Sequence, residues 1–295
     1  MMRRTFLGRL AASAGTFLVS GRAAARMLSS DLQSAGASDQ EIALRTFAMA
    51  ARRGLQEDPI GEIMAVVGSS FTGTPYEAHT IEVPGPERLV VDLRAFDCTT
   101  FVESTLALSR CIRLGTATFE GFQQQLQLIR YRSGVIQGYP SRLHYFIDWI
   151  ADNETKKIVH DITRELEGVA VTKPIDFMTT HREAYRQLAD EDFVKAVAEA
   201  EHRLSDRSYA VLTKGHIAAV QDRLQNGDII ALATSIKGLD VTHTGMAVRS
   251  GKAVKFLHAP LSGGAVQLSE RPLPDYVAAL GARTTGIIVA RPLNP

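Results

Sequence analysis

Apolar positions recur at helical spacing through the first half of the chain and in short alternating runs through its last quarter, a pattern that predicts helices first and strands later. Ser38-Asp39-Gln40-Glu41 has the form of a capping box and leads into Ile42, Leu44, Phe47, Met49 and Ala51, which predicts a helix over about 39–53. A short helix is expected at Ile60 to Val67. Gly73-Thr74-Pro75-Tyr76 breaks the pattern, and Glu87 to Leu93 reads as a strand running up to Asp97-Cys98. From Cys98 the spacing turns helical again, with Phe101, Val102, Leu106, Leu108 and Ile112 on one broad face and Gly115 as the stop. Cys98 is therefore expected where a helix begins.

A further helix carries Phe119, Phe122, Leu126 and Ile129, a less regular polar stretch runs from Ser133 to about Asp190, and a polar amphipathic helix spans Glu191 to Leu204. Beyond Gly227 short strands are expected at Asp228 to Ala233, Thr242 to Arg249, Val254 to His258 and Thr285 to Ala290, punctuated by Gly238, Gly251 and Gly263-Gly264. No internal repeat, low-complexity tract or long Pro/Gly linker divides the chain. The expectation is one α+β domain with its site between a helical layer and a sheet layer.

The N-terminus changes that picture, because it reads as an address. Arg3-Arg4-Thr5-Phe6-Leu7 resembles the twin-arginine export signal, and an apolar stretch from Leu10 to Gly21 precedes a small-residue cleavage site at Ala23-Ala24-Ala25. That stretch is too short to span a bilayer, which takes about 20 residues. Residues 1–25 are expected to be removed, leaving residues 26–295 in the periplasm with no stable membrane anchor. Loss of Arg3, Arg4, Arg9 and Arg22 takes the net charge from +1 to −3. No nucleic acid is expected as a partner, since phosphate binding needs a surplus of Lys and Arg.

The two cysteines, Cys98 and Cys111, invite a disulfide in an oxidising compartment. One helix between them would hold their Cα atoms about 20 Å apart, whereas a disulfide needs about 4.4 to 6.8 Å. Cys98 is thus expected as an unbridged thiol, and Cys111, beside Leu108, Ile112 and Leu114, as a small buried apolar residue.

A thiol at a helix start feels the positive end of the macrodipole and lies beside a backbone N–H suited to an oxyanion. Asp97 serves as its N-cap, with a ligand contact as the sharper reading. His243 and His258 stand 15 residues apart in strand contexts separated by the turn-like Arg249-Ser250-Gly251-Lys252. Antiparallel pairing would bring them together, one as base and one to orient it; either taken alone reads as a satisfied sheet histidine.

These residues resemble the NlpC-type papain-like cell-wall hydrolases, and most closely the N-acetylmuramoyl-L-alanine amidase-like family. The resemblance rests on Gly73-Thr74-Pro75-Tyr76, Phe96-Asp97-Cys98-Thr99-Thr100-Phe101-Val102-Glu103, Ser141-Arg142-Leu143-His144-Tyr145, Asp148-Trp149, Gly227-Asp228-Ile229-Ile230, Gly238-Leu239-Asp240-Val241-Thr242-His243 and Phe256-Leu257-His258-Ala259. It implies a papain-like fold, with the helical part carrying the nucleophile packed on a small antiparallel sheet carrying the histidines. It also implies Cys98 as nucleophile, His243 as general base and then acid, His258 as the third polar member, and a muropeptide or peptidoglycan substrate cut between muramic acid and L-alanine.

Tyr76, Arg142, His144 and Tyr145 are the candidates for substrate recognition, Arg142 by a two-pronged bond to a carboxylate. Plain packing, and pairing of Arg142 with Asp148 or Asp161, is the simpler account of the same residues; Asp240 reads as a turn residue. No cofactor is expected, and no cysteine-pair or His-Glu-x-x-His zinc spacing occurs. Three alternatives remain open at this point: cleavage inside the stem peptide between D-glutamate and the diamino acid, a non-catalytic wall-binding module, and Cys98, His243 and His258 as zinc ligands.

Overall fold

The computed structural model describes residues 36–295; the expected export segment, residues 1–25, lies outside them. The chain opens with α1 (Asp39–Arg53), whose capping box forms as expected and whose end is set by Gly54 in the left-handed conformation. Helices α2 (Ile60–Ser70), α3 (Cys98–Leu114), α4 (Phe119–Arg130) and α5 (Phe146–Thr155) follow. Then come β1 (Val159–Asp161), β2 (Val169–Val171), a short α6 (Phe177–Thr180), α7 (Glu191–Ser205) and β3 (Tyr209–Thr213). The last part holds α8 (Ile217–Val220), β4 (Ile229–Thr234), β5 (Val241–Ser250), β6 (Ala253–His258), β7 (Gln267–Leu268), α9 (Leu273–Ala278) and β8 (Thr284–Pro292).

The strands form one antiparallel sheet in the order β2-β3-β8-β4-β5-β6-β7, with β1 also paired to β8. Period-two alternation explains how the sheet is covered. On β4, Ile229, Ala231 and Ala233 face the large core shared with the helices, while Ile230 and Leu232 face a second core built with Ile217, Leu224, Leu273 and Val277. The sheet is therefore buried on both faces, and the two-layer expectation gains a third, thinner layer from α8, α9 and their flanking loops.

Helix α3 is the central helix. Its residues from Thr100 to Ile112 are all buried, against α1, α2, α4 and the sheet. Truncating one of its core residues, such as Leu106, should cost about 2–5 kcal/mol, so its N-terminus is held by a rigid body.

One predicted element is absent. Glu87 to Leu93 forms no strand, because distant side chains satisfy its backbone. Tyr131 donates to the Arg88 carbonyl, Arg130 donates to the Val90 carbonyl, and Asp39 accepts from the Leu93 amide. Conversely, the irregular middle region contains α5, β1 and β2. Asp240 also does more than turn the chain: it is buried, and its Oδ2 accepts from the Ile147 amide at 3.0 Å, capping the start of α5. Among the described residues no helix is long and apolar enough to cross a membrane.

Candidate active site

Cys98 is the first residue of α3. Asp97 forms the N-cap: its Oδ1 accepts from the amides of Thr99 (2.9 Å) and Thr100 (2.8 Å), while the Thr100 hydroxyl accepts from the Asp97 amide at 2.9 Å. The sequence Asp-Cys-Thr-Thr thus fixes the helix start one residue before the sulfur. Cys98 is partly exposed and Cys111 is fully buried, with no disulfide between them. Burial pushes the Cys111 thiol up to about 11, which leaves it an inert packing group.

The sheet brings the histidines together. β5 and β6 pair with Gly245 opposite His258, so His243 and His258 lie diagonally on one face. His243 Nε2 is 2.7 Å from His258 Nδ1, a hydrogen bond in which one imidazole donates and the other accepts. Gly245 makes this possible. A Cβ there would lie 2.6 Å from the Phe256 ring, 2.6 Å from the Leu257 carbonyl oxygen and 2.8 Å from His258 Cβ. Just before His243 the register with β4 shifts between Leu232 and Ala233, leaving Thr242 as the extra residue of a β-bulge, a device that re-aims side chains at strand ends.

Burial holds His243 down to about 4, although the Asp97 carboxylate pulls the other way. Burial and the neighbouring His243 push His258 well below the ordinary histidine range. Both rings are therefore neutral at neutral pH, the form in which His243 has a nitrogen free of a proton. Helix and strand are tied at this point: Thr244 Oγ1 donates to the Cys98 carbonyl at 2.9 Å. Cys98 and His243 line the same cleft of about 170 Å³, together with Tyr76, Thr99, Thr242 and Thr244.

Of the residues expected to recognise substrate, Tyr76, Arg142 and His144 line this cleft, whereas Tyr145 and the buried N-cap Asp97 do not. Tyr145 is buried, with its hydroxyl donating to Glu201 Oε1 at 2.6 Å. Arg142 is 4% exposed and already engaged. It pairs with Glu82 at 2.9 Å and Glu87 at 3.4 Å, donates to the Ile81 carbonyl and lies over the Tyr139 ring. Asp148, one of its expected partners, belongs instead to Arg132 at 2.5 Å. His144 Nε2 is 2.9 Å from the Tyr139 carbonyl oxygen.

The cleft also contains His79, Glu82, Glu103, Arg130, Tyr185 and Leu261, none of which the sequence reading singled out. Glu103 and Arg130 form a buried ion pair at 2.7 Å. Glu103 sits in the expected helix five residues after Cys98, which was the one available signal; the others come from loops whose approach is tertiary. No group of three or more His, Cys, Asp or Glu among the described residues is arranged to hold a metal ion.

Residues 66–283 match the sequence profile of the AmiA-like family, described as N-acetylmuramoyl-L-alanine amidase-like. A crystal structure described as an N-acetylmuramoyl-L-alanine amidase from Bacteroides uniformis ATCC 8492 is similar at 35% identity and a TM-score of 0.75, over 79% of this chain and 99% of that one. A Bacteroides fragilis protein provisionally named a xylanase is 36% identical, with a TM-score of 0.71 over 76% of this chain and 98% of that one. A Legionella pneumophila protein at 21% identity, covering 82% of this chain and 92% of its own with a TM-score of 0.62, shares the fold. No match was found among curated proteins. The profile covers most of the chain and includes Cys98, His243 and His258: the chain belongs to the N-acetylmuramoyl-L-alanine amidase-like family.

Proposed function

We propose that the protein is a cysteine-dependent N-acetylmuramoyl-L-alanine amidase of the papain-like, NlpC-type arrangement, exported to the periplasm as residues 26–295 and acting on peptidoglycan or its muropeptide fragments. Family membership supports a peptidoglycan amidase-type role. The observation that carries the cysteine mechanism is the 2.7 Å contact that buried His258 makes with His243, which lines the same cleft as Cys98.

His243 takes the thiol proton of Cys98 as the sulfur attacks the carbonyl carbon of the muramic acid lactyl group. The Cys98 amide is the candidate donor to the resulting oxyanion. Protonated His243 then gives its proton to the L-alanine nitrogen, the C–N bond breaks, and the stem peptide leaves a thioester on Cys98. Water, deprotonated by His243, attacks the thioester carbon, the proton returns to the sulfur as the C–S bond breaks, and the freed muramic acid carboxyl group loses its remaining proton to solvent.

A glycosidase reading, which the xylanase name of one relative would suggest, finds little support in the cleft. Glycoside hydrolysis needs two available carboxyl groups, and here Glu82 pairs with Arg142 and Glu103 with Arg130. Mass analysis of a defined muropeptide digested by the wild-type protein tests the proposal. Intact stem peptide plus N-acetylmuramic acid is the expected result; release of L-Ala-D-Glu would assign a stem-peptide endopeptidase, and cleavage between sugars a glycosidase.

A further inference from the structure

His258 is 1% exposed, and its two ring nitrogens meet different surroundings. Nδ1 faces His243 Nε2, whereas Nε2 has no hydrogen-bond partner among the described residues. A buried N–H with nothing to receive it costs about 1–3 kcal/mol, so the tautomer depends on what lies against that edge. Two aromatic rings pack on this imidazole. Phe256 stacks on the imidazole at 4.6 Å and 24°, and Tyr276 of α9 stands 5.3 Å away at 75°.

An imidazole N–H lies in the plane of its own ring. A stacked neighbour such as Phe256 cannot receive it, but a perpendicular ring offers a negative π face to just such an edge. We infer that Tyr276 is a positioning residue: its ring face receives the Nε2–H of His258 and holds that imidazole in the tautomer whose Nδ1 accepts from His243. The consequence passes along the pair. His243 must then donate through Nε2, which leaves its Nδ1 as the nitrogen without a proton, the form a general base needs. An aromatic face thereby takes the place of the carbonyl or carboxylate that orients many functional histidines. It adds no formal charge, in keeping with a pair of neutral rings.

The role in turnover rests on the amidase reading; the tautomer does not, since it belongs to the resting protein. Long-range ¹H–¹⁵N correlation of the labelled protein near pH 7 reads the tautomer directly, and the expected result is a protonated Nε2 and a bare Nδ1 on His258. In Tyr276→Leu a mixture of tautomers is expected, with kcat down about tenfold and KM little changed; Tyr276→Phe, which keeps the ring, should restore both. Should the leucine variant fail to fold, Tyr276→Met carries the same comparison. A wild-type protein with the proton on His258 Nδ1, a ring-less variant with an unaltered tautomer, or a phenylalanine variant as impaired as leucine would each overturn the inference. If no amidase activity is found at all, the tautomer comparison still stands and only the catalytic consequence falls.

Discussion

Thr244 donates its hydroxyl to the carbonyl of Cys98 at 2.9 Å, and that one bond joins the start of the nucleophile's helix to the strand that carries His243. Alternation turns Thr244 toward the helical core that Met246 also faces, while His243, on the other side of the strand beside the Thr242 bulge, lines the same cleft as Cys98.

Thr244→Val keeps the shape and removes the bond. Because Thr244 is buried, the variant should lose about 1–3 kcal/mol in urea denaturation. Muropeptide turnover should fall as well, since the thiol and the base no longer share a fixed separation. Unchanged stability and turnover would show that the tie is incidental.

Gly245→Ala tests the close approach behind the histidine pair. With the Phe256 ring and the Leu257 carbonyl both at 2.6 Å from a new Cβ, the methyl group can be accommodated only by shifting β6. A destabilisation of about 1–3 kcal/mol is expected, together with a loss of activity larger than that seen for alanine substitution of the exposed Gly251.

The depressed histidines set the pH behaviour. His243 loses its proton at about 4 in the folded protein, against about 6.5 in an unfolded chain. Between those values the unfolded state binds more protons, so stability rises with pH through this window and is lost on acidification, by up to about 3 kcal/mol. His258, pushed down further, acts in the same direction. Denaturation at pH 4.5 and pH 7 should show this drop in wild type and a smaller one in His243→Gln. The acid limb of kcat/KM should lie nearer pH 4 than pH 6.5, because the base stays neutral down to that point.

Glu103→Ala leaves the Arg130 guanidinium buried without its partner, both side chains being only 3% exposed in the pair. A loss of about 3–5 kcal/mol is expected, readable as a lowered Tm. Glu82→Ala, at the more exposed end of the Arg142 cluster, should cost much less stability and act mainly on KM.

Local signals carried much of the site into view. Ser38 and Asp97 announce helix starts through side chains that reach only three residues, and Gly115 announces an end through its own backbone. His243 and His258 become neighbours through a single hairpin, which alternation and a turn suffice to suggest. What stayed hidden depends on partners far along the chain. The stretch from Glu87 to Leu93 looks like a strand until Asp39, 54 residues from Leu93, and Arg130, 40 residues from Val90, claim its backbone. Arg142 finds Glu82 and Glu87 rather than the sequence-near Asp148, and Tyr145 turns into the core toward Glu201. Short strands such as Val169–Val171 carry too few residues to show a period.

The most direct test of the mechanism is the turnover of a defined muropeptide by Cys98→Ala, in protein whose folding is confirmed by its thermal transition. If the sulfur at the start of α3 is the nucleophile, the rate should fall by at least about 10³-fold. Turnover within tenfold of wild type would contradict the assignment of Cys98.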